Sequence, residues 1–437
     1  MNKERVQELE KRWQKIQDQG GPQAYLEQQL RKAGVWRRYR PNMIEPGINK
    51  SDEIRASRLE REKRLELKKY IWEAYKATHI SHLGLDVYWN DEVGEDFFDV
   101  HERLKRQEEQ GLPSIETVEE LVEALSQAVP EMTIPMLRWL CYHQDVATHL
   151  HYRHFEIEKK TGGFRQIWAP LPKLKAIQHW ILQNIVEHMP IHGAAHGFVS
   201  GRSIFSNAEE HCNSDVVVGL DLKDFFPSFT FPRVKGIFRN YGYKSEISTL
   251  LALLCTEAPR RIVQIEGKTV YVATGSRALP QGSPVSPALT NVASMRLDRR
   301  LSGYALKHGW RYTRYADDLT FSAPTGQGRK NIKALLETVD TIVTEEGLKV
   351  HPKKTHVMGK GRRQEVTGLV VNGSESPRVP KERRKMLRAA LNNAQKGKEV
   401  ELGYALQQLM GHAAFVYAAQ PELGRSLIEA FSELMNE

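Results

Sequence analysis

Tyr312-Thr-Arg-Tyr-Ala-Asp-Asp-Leu-Thr-Phe-Ser322 is the stretch that decides the fold. Tyr312 to Tyr315 and Leu319 to Ser322 are short runs of aromatic and β-branched character, and they flank Ala316-Asp317-Asp318. That arrangement predicts a β-hairpin with two carboxylates at its bend. Adjacent like charges repel, so an Asp-Asp pair in a turn is costly unless a cation neutralises it. In isolation such a pair reads as an ordinary solvated turn. Strand sequence on both sides, with Tyr315 in front, makes YADD (Tyr315 to Asp318) a more specific signal.

Working outward, Asp215-Val-Val-Val-Gly-Leu-Asp221 is a β-branched run that ends in a carboxylate and opens DLKDFFPS (Asp221 to Ser228). Between these motifs lies LPQGSPVSP (Leu279 to Pro287). Ser286-Pro287 predicts a helix start, with Ser as N-cap and Pro in the first turn. Leu289, Ala293, Leu297 and Leu301 recur every four residues, which gives that helix a buried stripe. Nucleotidyl transfer by metals needs two divalent cations about 3.5–4 Å apart, one at the attacking hydroxyl and one at the leaving pyrophosphate. Hard cations of this kind take a few carboxylate oxygens and leave room for phosphate and water. Asp317, Asp318 and Asp221 are the candidate set.

In that order along the chain, the three motifs resemble those of reverse transcriptases. The resemblance implies an α+β right-hand polymerase with fingers, palm and helical thumb, preceded here by a helical N-terminal extension. It implies that Asp221, Asp317 and Asp318 hold two Mg2+ ions, with Mn2+ as a substitute, and that the backbone carbonyl of Leu222 completes the metal shell. Gln281 in the PQG turn would sit by the templating pair and incoming dNTP. Lys354 in HPKKT matches a lysine near the triphosphate, although neighbouring Lys353 leaves the register open. Arg165 in TGGFRQIWAP resembles the fingers residue that clamps the triphosphate, a task suited to a planar guanidinium. Phe226 falls where an aromatic ring lies beneath the incoming ribose and excludes a 2′-hydroxyl; the alternative is a core filler beside Phe225.

Two further motifs narrow the resemblance to retron reverse transcriptases: Asn207-Ala-Glu-Glu-His211 fits NAxxH, and Val366-Thr367-Gly368 fits VTG. Enzymes of that kind copy part of their own structured non-coding RNA into a branched RNA–DNA hybrid, msDNA. Its implied partners are the cognate RNA, its DNA product, dNTPs and an effector or toxin protein of an anti-phage system. Asn207, His211, Val366, Thr367 and Gly368 are the implied RNA contacts, with Arg383, Arg384 and Arg388 of a basic thumb helix. A lone histidine such as His211 equally fits a hydrogen-bonded structural role. The resemblance covers about residues 140 to 435, and KATHISHLG (Lys76 to Gly84) resembles the extension of myxobacterial-type enzymes. The rivals are a group II intron-type enzyme, whose appended maturase or endonuclease region has no counterpart after Gly368, and a non-catalytic RNA-binding scaffold. An RNA-dependent RNA polymerase would carry an aspartate where Phe226 stands.

Composition agrees with a polyanionic partner. The 437 residues hold 63 Lys and Arg against 54 Asp and Glu, a net charge of +9. Three well-separated cysteines, Cys141, Cys212 and Cys255, read as reduced thiols. The charged N-terminus has no apolar leader region and no run is long enough to span a bilayer, so the expectation is a cytoplasmic protein with no membrane partner. Texture predicts a charged helical extension over 1–130, fingers and palm over 131–375 and a helical thumb over 376–437. Within the extension, Arg55 to Lys69 interleaves Arg and Lys with Glu, which fits a solvated helix laced with ion pairs, or a basic arm on phosphates. Residues 85–100 turn acidic and aromatic. CYHQDVATHLHYRH (Cys141 to His154) crowds metal-ligand residue types together, but no spacing in it makes a zinc knuckle.

Overall fold

A computed structural model of the chain describes residues 3–36, 50–80, 83–84, 100–142, 144–158, 162–326, 331–373, 375–396 and 406–436. The acidic, aromatic segment 85–99 lies outside them, as does His143. By contacts the chain divides into two units: residues 1–181 with 238–276, and 182–237 with 277–437. This differs from the division expected at 130/131 and 375/376. Texture changes along the sequence mark shifts in element type, whereas units form where elements pack, and each unit collects two separate stretches of chain.

The first unit opens with helices α1 (Lys3–Asp18), α2 (Gly21–Lys32) and α3 (Lys50–Thr78). Val6, Leu9 and Ile16 line the inward stripe of α1. The outer face of α3 is solvated: Leu59 and Leu65 stay exposed, and Arg64–Glu60 and Lys63–Glu66 pair at 2.7 Å along the helix. That is the ion-pair-laced reading of Arg55 to Lys69. Next come α4 (Val100–Glu109), α5 (Val118–Ser126, capped by a Thr117/Glu120 box) and α6 (Ile134–Cys141, capped by Thr133). Strands β2 (Tyr152–Glu158) and β3 (Phe164–Pro170) pair as a hairpin, and α7 (Pro172–Asn184) follows. The returning chain adds α10 (Ser245–Cys255), buried at every position but Glu246. A three-stranded sheet in the order β1-β6-β5 completes it (Val146–Ala147, Lys268–Ala273, Arg260–Ile265).

The second unit is built on a four-stranded sheet in the order β7-β8-β4-β9 (Arg311–Tyr315, Asp318–Pro324, Ser214–Asp221, His356–Gly359). Central β4 and β8 pair antiparallel, with Val218 opposite Phe321 and Leu220 opposite Leu319, all buried. Helices α8 (Ile204–Glu209), α9 (Phe231–Asn240), α11 (Ser286–Ala293), α12 (Met295–Lys307) and α13 (Ile332–Glu345) surround the strands along the chain. The single helix expected after Ser286 is two, broken at Ser294. Leu289, Leu297 and Leu301 are still buried, so the stripe survives the break. Ser286 is the first helical residue rather than the N-cap, a place Val285 takes. A tight hairpin of β10 (Glu365–Val366) and β11 (Leu369–Val370) precedes α14 (Lys381–Gln395), α15 (Leu406–Ala419) and α16 (Pro421–Asn436). One apolar core joins α8, this hairpin and the last three helices through Ala208, Val366, Leu369, Leu387, Val416 and Phe431. None of the described helices is long and apolar enough to cross a membrane.

Candidate active site

Strand register brings the acidic residues together. Asp221 ends β4 directly opposite Asp318, the first residue of β8, and Asp317 occupies the turn before it. The Asp317 carbonyl accepts the Leu222 N–H at 2.9 Å, which fastens the turn to the end of β4. Like charges directly opposite in a ladder destabilise it. The Asp318 side chain keeps solvent access at the hairpin tip. Even so, the protein crowded round its carboxyl, with the charges of Asp317 and Asp221, pushes its pKa up to about 7.

A cation already answers part of this repulsion. Lys354, in a short 3-10 turn (Pro352–Lys354), places Nζ 2.7 Å from Asp221 Oδ2. Of the two lysines in HPKKT, Lys354 is seen paired with Asp221. Among the described residues no three His, Cys, Asp or Glu side chains stand close enough together to form a ready-made metal cage. What exists is a set of hard oxygen donors at the end of β4 and the facing hairpin turn, one of them paired with an ammonium group. That donor chemistry suits magnesium or manganese.

The hairpin is held from behind by a buried polar network that sequence reading missed. Arg314 is fully buried and forms a forked pair with Asp298 of α12, Nη2 to Oδ2 at 2.7 Å and Nε to Oδ1 at 2.9 Å. Its Nη1 donates to Asn291 Oδ1 and to the carbonyl of Ala316 in the turn. Tyr312 Oη also donates to Asp298. Ala316 sits in the left-handed region (φ 55°), an uncommon place for a residue with a Cβ. Gly197 presses on the same turn: a Cβ there would lie 2.6 Å from the Ala316 nitrogen, so only glycine fits. Asn291 Nδ2 donates to the Gly197 carbonyl and closes the network.

Other expected site residues fall into place unevenly. Bonds from Leu279 N–H to Phe229 O and from Phe231 N–H to Arg277 O tie the PQG segment to the turn after Asp221. Gln281 and Phe226 are both half-buried. Phe225 is the core residue of its pair, packed edge-on against Phe229 at 5.1 Å. Arg165 is exposed on β3 of the other unit, opposite Ile157 in the hairpin.

The residues expected to contact RNA differ in exposure. Asn207 and His211 are fully buried, and Val366 nearly so. His211 bridges two strands, its ring nitrogens 2.7 Å from Ser322 Oγ and from Thr313 Oγ1. Burial first, then the Arg311 charge, pushes its pKa down to about 3, so it stays neutral. Val366 belongs to the shared apolar core. Thr367 and Gly368 form the two-residue turn of the β10-β11 hairpin, both with positive φ (47° and 79°). Thr367 Oγ1 donates to the Ile204 carbonyl at the start of α8. The NAxxH helix and the VTG turn are thus packed on one another. On α14, Arg383 stacks over the Phe415 ring at 4.6 Å, Arg384 is half-buried and Arg388 is exposed.

Comparison with known proteins agrees with this geometry. Residues 157–382 match the family described as reverse transcriptase (RNA-dependent DNA polymerase). The chain is 48% identical to the retron Mx162 reverse transcriptase of Myxococcus xanthus over 382 residues, 85% of this chain and 78% of that one. It is 40% identical to the retron Mx65 enzyme of the same organism, covering 72% of this chain and 71% of that one. With the retron Ec86 reverse transcriptase of Escherichia coli the identity is 32%, over 74% and 91%. The chain therefore belongs to the reverse transcriptase family and, within it, to the retron-type RNA-directed DNA polymerases.

Proposed function

We propose that the enzyme copies part of a structured non-coding RNA into DNA that remains attached to it as msDNA. The chemistry is two-metal nucleotidyl transfer at Asp221, Asp317 and Asp318, and the setting is an anti-phage system with an effector partner. The observation that carries the chemical part is the opposition of Asp221 and Asp318 across the ladder, with Asp317 beside them. Such a concentration of like charge is retained where cations are to be bound.

Reverse transcriptases use divalent ions. Two bound Mg2+ ions would activate the attacking 3′-hydroxyl and stabilise the leaving pyrophosphate. The chain's own residues do the rest. Lys354 exchanges its bond to Asp221 for the phosphates of the incoming dNTP, and Arg165 clamps those phosphates. Gln281 positions the base pair, and Phe226 closes the space a 2′-hydroxyl would occupy. The Leu222 carbonyl adds an oxygen donor beside Asp221. The partner RNA is held through its backbone and folded shape, with the exposed Gly368 of the VTG turn and exposed Arg388 among its contacts.

Primer extension on an RNA template tests this directly. Asp221→Asn and Asp317→Asn each lose a ligand but little basic surface. They should abolish synthesis, by orders of magnitude, while RNA affinity stays near wild type. Extension by Asp317→Asn within about threefold of wild type would remove the site assignment. Sequencing nucleic acid that co-purifies with the wild-type enzyme tests the msDNA part: a branched RNA–DNA species is expected, and RNA alone counts against it.

A further inference from the structure

Helix α6 buries Ile134, Leu137, Leu140 and Cys141 and turns Trp139 outward, 54% exposed. The indole is nevertheless fixed. The His151 ring meets it edge-on with centroids 4.3 Å apart, and His151 Nε2–H donates to Trp139's own carbonyl at 2.9 Å. Beside it opens a cavity of about 170 Å³, lined also by Tyr142, Gln144, Glu257 and Arg260. Gln144 Nε2 donates to Tyr142 Oη at 2.9 Å, so a carboxamide and a phenol share the cavity wall with the indole. Below them Arg260 and Glu257 pair at 3.1 Å with almost no exposure, and Arg260 Nη1 also donates to the Gln144 carbonyl. That pair fixes the loop carrying Gln144 and Tyr142.

We propose that this cavity binds a single unpaired nucleobase, stacked on the exposed face of Trp139 with its polar edge toward Gln144 and Tyr142. The proposal rests on the chain being a nucleic-acid-copying enzyme. A self-contained ligand pocket measures roughly 300–1,000 Å³; this one is smaller and takes one protruding group. A flat ring with a hydrogen-bonding edge matches a fixed indole beside donors and acceptors, and stacking on aromatic side chains is how unpaired bases are held. Among the described lining residues, the carboxylate of Glu257 and the guanidinium of Arg260 are paired with each other, so this ion pair is already satisfied without a phosphate. None of the cavity's lining residues is among those assigned to polymerisation, and all of them lie in the first unit.

The test is fluorescence anisotropy of a short labelled single-stranded RNA with the full chain, freed of bound nucleic acid. Trp139→Ala should bind about tenfold more weakly than wild type, within the range that loss of one base–aromatic stack produces. Trp139→Phe keeps a ring and should stay within about threefold, and thermal melts of all three proteins should coincide. On the same RNA carrying abasic nucleotides, wild type and Trp139→Ala should bind alike. Single-stranded DNA distinguishes the source: loss on both polymers shows that the base is read without its sugar, and loss on DNA alone places the product strand there. Binding of base-bearing RNA and DNA by Trp139→Ala within twofold of wild type overturns the site. An equal loss on abasic RNA also overturns it, since the indole would then rest on the sugar–phosphate chain. Primer extension by wild type in parallel reports separately on the polymerase reading.

Discussion

At Arg314 the chain keeps a full positive charge away from water, one residue before Tyr315 of YADD, and engages all three guanidinium nitrogens: two with Asp298 and the third with Asn291 and the Ala316 carbonyl of the turn. Removing one member of a buried pair leaves the other charge uncompensated, a loss of about 3–5 kcal/mol. Arg314→Met should therefore lower the thermal midpoint sharply. Adding Asp298→Leu should restore much of the stability, because the stranded carboxylate is gone. Polymerisation by the double variant should remain low, since Ala316 has lost the donor that fixes the turn. Recovery of stability and synthesis together would mean that the network supports the fold alone. No spacing in the sequence pairs Arg314 with Asp298, which lies on a helix, so this contact was illegible. The aspartates were legible because their chemistry repeats in one short run. Phe226 is the other residue-scale case. Its half-buried ring, beside a fully buried Phe225, fits a gate better than a core filler. Phe226→Ala should raise ribonucleotide over deoxyribonucleotide incorporation at least about tenfold in single-nucleotide extension, equivalent to roughly 1.4 kcal/mol. Unchanged sugar choice in a soluble Phe226→Ala protein would sink the gate.

Between single residues and the whole chain, the NAxxH helix and the VTG turn act as one element. Each was visible as a motif, but the sequence could not say which side chains face inward. Burial decided that, and it shows His211 as a structural tie. His211 ties β7 to β8 through Thr313 and Ser322. Its pKa is held down to about 3, whereas the unfolded chain takes up that proton near pH 6.5. The unfolded state thus binds more protons between these values. Stability from His211 is complete above about pH 6.5 and is lost as pH falls toward 3, at about 1.4 kcal/mol per pH unit. His196, pushed down to about 4 by burial and then by Arg202, adds in the same direction. Wild type should therefore melt at a lower temperature at pH 5 than at pH 7.5. His211→Gln should be less stable at pH 7.5 and show a shallower fall, since Gln takes up no proton. Parallel melting curves for the two proteins would contradict this.

Across the whole molecule, the predicted α+β polymerase architecture is present, and contacts group its elements into two units, a different kind of division from segments set by sequence texture. Core residues such as Val366 and Leu387 lie on opposite sides of the expected 375/376 boundary yet share one cluster, and hydropathy along a chain carries no record of such partners. The same limit applies to charge. A net +9 predicts attraction to RNA, but it does not say which cations are free to meet phosphate. In α14 the structure separates two of them. Arg383 lies over the Phe415 ring, whereas Arg388 is exposed. A phosphate contact releases counterions, so its loss flattens the salt dependence of binding by about one unit per contact, or about 0.7 on single strands. Arg388→Ala should therefore reduce the slope of log affinity against log salt by about 0.7–1 while leaving the melting temperature near wild type. Arg383→Ala should do the opposite: it removes a stacking contact between α14 and α15, lowering the melting temperature and leaving the slope nearly intact. Affinities of both variants and wild type for one structured RNA, measured across a salt series with parallel melts, separate the two roles. If Arg388→Ala keeps the wild-type slope, the RNA is not held by α14. The solvated basic face of α3 then becomes the next surface to neutralise.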